Sequence, residues 1–143
     1  MKTFFLSLHV VAAILAVGPV AVAASMFPAF QRREAGSPGP ALLHRICRVY
    51  AAVSLAVPVL GFATGATMGV LGDPWVGASI ALTALAAVLL VLAVLPGQEY
   101  ALTGEGPATG AWAAPRLGML TGVFNLLWVA VTVLMIARPG SSA

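Results

Sequence analysis

Residues 76–95 read VGASIALTALAAVLLVLAVL, twenty positions without one charged side chain. A helix rises ~1.5 Å per residue, so about 20 residues cover the ~30 Å of hydrocarbon in a bilayer. Inside lipid the backbone must satisfy its own polar groups, which leaves only the helix and the closed barrel. An unbroken apolar run lacks the in-and-out alternation of a barrel strand. The segment therefore predicts a membrane-spanning helix.

Three further stretches repeat the pattern, at Phe4–Phe27, Val49–Leu71 and Leu117–Ile136, and none holds Asp, Glu, Lys or Arg. The chain as a whole is 61% hydrophobic and 8% charged, with mean hydropathy +1.04. Soluble domains carry about 25% charged residues. Seven basic and four acidic side chains over 143 residues cannot build a water-facing surface. Short links between consecutive spans predict an all-α, antiparallel four-helix bundle in the membrane, forming one domain over residues 1–143.

Met1–Ala24 imitates a secretory signal, with Lys2, an apolar run and Val22-Ala23-Ala24 before Ser25. The run exceeds the ~7–15 residues of a signal core, so a retained first helix is expected. With four spans, Arg32, Arg33, Arg45, Arg48 and Arg116 fall on one side, and Lys2 and Arg138 on the other. Cytoplasmic loops carry the Lys/Arg excess, so both termini are expected outside the cytoplasm. One lysine against six arginines, a single Asn and abundant Ala suggest a GC-rich bacterial genome, and hence the bacterial inner (plasma) membrane. The net charge of +3 reflects arginines facing anionic lipid and not a nucleic-acid surface.

The first helix is expected from about Thr3 to Met26, ending near Pro28, with a bend at Pro19. Residues 31–40 read as a cytoplasmic loop, helix 2 as starting near Ala41 and distorted at Pro58, and residues 96–115 as the longest loop. Glu99 and Glu105 in that loop are placed to pair with the cytoplasmic arginines. Gly72-Asp73-Pro74 makes a tight turn, with Trp75 at the level of an interfacial anchor. Gly61, Gly65 and Gly69, at i, i+4, i+8, and Gly118 with Gly122 form small-residue stripes of the kind that let helices approach closely. Thr121, Asn125, Trp128 and Thr132 fall on one stripe of the last span, with Asn125 expected to hydrogen-bond between helices.

His9 is the sharpest candidate for chemistry, because an ionisable side chain inside a span is costly. The neutral imidazole is also the metal-binding form. A structural hydrogen bond, ligation of haem b or copper, and proton handling all remain open for it. His44 belongs to the other end of helix 2 and cannot join His9 on one iron. Met68 and Met135, at the same end as His9, are the candidate second ligands, since a His/Met pair suits haem or copper. Cys47 is a lone cysteine, which excludes a disulfide framework and paired-cysteine metal sites. No carboxylate lies in a span, which disfavours an ion-coupled transporter.

The opening Phe4-Phe5-Leu6-Ser7-Leu8-His9-Val10-Val11-Ala12-Ala13, with Gly18 and Pro28, resembles helix 1 of bacterial four-helix predicted integral membrane proteins of unknown function. Leu43-His44-Arg45-Ile46-Cys47-Arg48-Val49-Tyr50, running into a glycine-rich span, is similar in the same way. More distantly, the first-helix histidine resembles that of copper-resistance-type membrane proteins and of the membrane protoporphyrinogen oxidase. There it is implicated in metal or haem binding, and His9 alone carries over. That oxidase also uses a lysine in a later span, whereas this chain has no lysine after Lys2. The residues lead to a non-enzymatic membrane protein, an accessory or structural subunit of a larger complex or a homo-oligomer. The alternative is a haem- or copper-binding redox protein using His9.

Overall fold

A computed structural model describes residues 1–33, 36–103 and 114–141. Helix α1 spans Lys2–Arg33, α2 Pro38–Ser54, α3 Ala56–Met68 and α4 Pro74–Leu89. A π-helical turn, Leu90–Val94, leads from α4 into α5, Leu95–Thr103, and α6 spans Ala114–Ala137. No strand is present among the described residues. Four continuous helical stretches, Lys2–Arg33, Pro38–Met68, Pro74–Thr103 and Arg116–Ala137, are long and apolar enough to cross a membrane. Their outward faces are apolar: Ile14, Leu15, Phe62, Leu92, Leu126 and Ile136 are each more than 60% exposed.

Prolines shape these helices without ending them where the sequence suggested. Pro19 and Pro28 both lie inside α1, which runs on to Arg33. Most of the expected 31–40 loop is therefore helical, and α2 begins at Pro38, a residue suited to a first turn. Pro58 leaves the Ser54 carbonyl without its usual donor, and α2 gives way to α3 through Leu55, whose amide reaches back only three residues to Ala52 (3.2 Å). Pro96 does the same to the Leu92 carbonyl. Here a π-turn absorbs the mismatch, with the Leu95 amide donating to Leu90, five residues back. Residues 96–103 are thus helical and not the loop expected of them. Glu105 lies outside the described residues.

The turn after α3 explains two of its glycines. Gly69 has φ +72°, and its amide donates to Ala66 (3.2 Å) while that of Val70 donates to Gly65 (3.1 Å). This is a Schellman cap, which needs a left-handed residue at Gly69. Leu71 folds back over α3, so that a Cβ on Gly65 would stand 2.7 Å from Leu71 Cδ2. Gly65 and Gly69 therefore serve the end of their own helix and not a helix–helix groove. At Gly118 and Gly122 a Cβ would meet no described atom within 4 Å. The close approach expected there is not made among the described residues.

The packed core fills one half of the molecule. Val20, Ala24 and Phe27 of α1 meet Cys47 of α2, Ala86 of α4, Val94 of the π-turn, and Leu117 and Phe124 of α6. In the other half α3 packs on α1, α4 on α6 and α1 on α6, while α3 and α4 barely meet beyond the turn joining them. A space stays open between them.

Candidate functional site: a cavity at His9

The open half holds a cavity of about 460 Å³ between α1, α3, α4 and α6. His9, Met68 and Met135 all line it, as do Gly61, Trp75, Trp128 and Arg138. The three side chains proposed from sequence as cofactor ligands thus share one space. Its volume lies in the ~300–1,000 Å³ range of ligand pockets. The walls are apolar apart from a few polar side chains, and Arg138 is the one arginine or lysine among them.

His9 is buried, and its Nδ1 lies 2.9 Å from the Val57 carbonyl oxygen. A carbonyl only accepts, so Nδ1 carries the proton and Nε2 keeps its lone pair. Metal-binding histidines are held in this way, with the far ring nitrogen donating to a carbonyl or carboxylate that fixes tautomer and orientation. Gly61 provides the seat. A Cβ there would stand 2.8 Å from His9 Cε1, closer than real side chains come, and 3.2 Å from Nδ1. Of the glycines singled out from sequence, Gly61 is the one that meets another helix among the described residues.

Met68 is seven residues beyond Gly61 on α3, about 10 Å by helix rise. His9 and Met68 therefore do not converge on one small ion. Among the described residues no group of three or more His, Cys, Asp or Glu is placed to hold a metal.

Trp75, in the first turn of α4, is buried in the cavity wall. Its Nε1–H donates to Asp73 Oδ2 (3.1 Å), and the Arg138 guanidinium lies 5.6 Å above its ring. Trp128 packs edge-on against Phe124 at 6.2 Å between ring centres. Its Nε1–H is buried and has no partner among the described residues. An unpaired buried donor is costly in an apolar wall and is satisfied readily by a ligand oxygen. Of the expected α6 stripe, Thr121 is buried and Asn125 and Trp128 half-buried, while Thr132 is exposed but still lines the cavity. Asn125 Nδ2 donates to Ser25 Oγ of α1 at 2.8 Å.

A second polar cluster lies in the packed half. His44 Nδ1 donates to Gln98 Oε1 (2.9 Å), and Gln98 Nε2 donates to Cys47 Sγ (3.6 Å). Gln98 is fully buried, although residues 96–115 read as a loop. The signal for it was present: His44 and Cys47 are one turn apart on α2, and a buried imidazole needs a partner. We expect Gln98→Leu to destabilise the protein by about 1–3 kcal/mol, the cost of leaving His44 Nδ1–H unpaired. Replacing both partners is far milder, so His44→Leu combined with Gln98→Leu should recover much of the loss. Thermal unfolding in detergent measures both.

No protein-family model, curated protein or solved structure matches this chain.

Proposed function

We propose that this chain is a multi-pass protein of the bacterial plasma membrane, its four spans antiparallel and both termini extracytoplasmic, that carries haem b on His9. The observation that carries the reading is the posture of His9. Its Nδ1 is committed to the Val57 carbonyl, its ring rests on Gly61, and its Nε2 is left available at the wall of an apolar cavity. Haem suits the cavity better than copper, because a single histidine can hold its iron while the apolar walls take the macrocycle. A flat apolar macrocycle fills such a space, and haem bound there supplies one-electron redox chemistry. His9 is the residue that would hold the group in this reading, with Met68 and Met135 lining the same cavity.

The orientation rests on five arginines against two cations. A Ser141→Cys variant tests it, since the native Cys47 is buried and contributes little background. In intact cells, an impermeant thiol reagent should label the new cysteine. Protection until lysis would reverse the topology.

A second reading, an accessory subunit of a larger membrane complex or a homo-oligomer, is supported by the open Gly118–Gly122 stripe on α6. The two readings are compatible, because that stripe and the His9 cavity involve different residues.

A further inference from the structure

We infer that Arg138 is the binding residue for the carboxylates of the cavity's ligand, so that the site selects a dicarboxylate porphyrin over its neutral counterpart. The inference rests on the haem reading above. Arg138 is the one non-glycine at positive φ among the described residues, at +46°. That conformation is unfavourable for an L side chain, and the following Pro139 narrows its choices further. The conformation is that of a left-handed helix cap, with the Arg138 amide donating to the Leu134 carbonyl at 2.9 Å. Side-chain contacts then direct the guanidinium. Arg138 Nε donates to the Met135 carbonyl at 3.3 Å, and the guanidinium is stacked on Trp75, whose indole is itself tied to Asp73.

A charge serving only to complement the carboxyl end of α6 would need no such scaffold and would extend into water. Instead the guanidinium is folded over the cavity wall, and its two terminal nitrogens have no partner among the described residues. A planar guanidinium offers paired donors that match a carboxylate. His9 and Arg138 line the same cavity. A ligand held at its centre by His9 would present its edge carboxylates to Arg138.

The test compares haem with its dimethyl ester, in which both carboxylates are neutral, by Soret titration of the purified protein in detergent. The wild-type protein should bind free haem at least about tenfold more tightly than the ester. Arg138→Gln should remove that preference while leaving the spectrum of the bound haem unchanged, since His9 sets it, and Arg138→Lys should restore part of the preference. Equal binding of the two ligands by the wild-type protein, or an undiminished preference in a folded Arg138→Gln variant, overturns the inference and spares the haem reading. If the Gln variant does not fold, the wild-type comparison decides alone. Failure of both ligands to give a protein-bound Soret band overturns both.

Discussion

His9→Ala should weaken haem binding by more than about 100-fold while leaving the helical content unchanged. Loss of even the partner that orients a metal-bound histidine costs about 10–100-fold in metal affinity, and this substitution removes the ligand itself. The fold survives because the side chain makes a single interhelical hydrogen bond, to the Val57 carbonyl. Such bonds between membrane helices are worth only about 0.6–2 kcal/mol. The measurement is a haem titration alongside far-ultraviolet circular dichroism. A variant with unaltered affinity would assign His9 to packing alone.

Gly61→Val should also weaken binding, through geometry and not through loss of a ligand. The new Cβ would stand 2.8 Å from His9 Cε1. Its neighbour is a rigid ring already held by a hydrogen bond, and it cannot yield as a flexible chain end would. The imidazole must leave either its seat or its carbonyl. Overpacking of this kind costs about 1–3 kcal/mol, so affinity should fall roughly tenfold or more. Gly118→Val is the control, since a Cβ there meets no described atom within 4 Å. It should leave haem affinity and thermal unfolding of the isolated protein unaltered. Loss of a co-purifying protein in that variant alone would place a partner on the α6 stripe.

The four helical stretches were legible because a run such as residues 76–95 has no other use for its side chains. Their ends were less so. Pro28 and Pro96 looked like terminators, yet each removes only one hydrogen bond, and α1 continues through the first while a π-turn absorbs the second. The importance of His9 could be read from the cost of placing an imidazole in a span, and its company with Met68 and Met135 from their common end of the bundle. What it rests on could not. The pairing of His9 with Gly61 depends on how α1 and α3 cross, which apolar periodicity does not encode. The three glycines at i, i+4, i+8 look equivalent in sequence, but among the described residues only Gly61 stands against another helix, while Gly65 and Gly69 are taken by the cap and by Leu71. The neighbours of Trp75 were hidden for a related reason: only the fold puts Arg138 across its face.

The central claim is that the cavity at His9 is a haem site, and the most direct measurement is the haem content of the protein purified from its own membranes. Absorption is recorded before and after dithionite, with the haem extracted and counted against protein. The account predicts a Soret band that shifts on reduction and close to one haem b per chain. A protein isolated without haem that also forms no Soret complex when haem is added would contradict it.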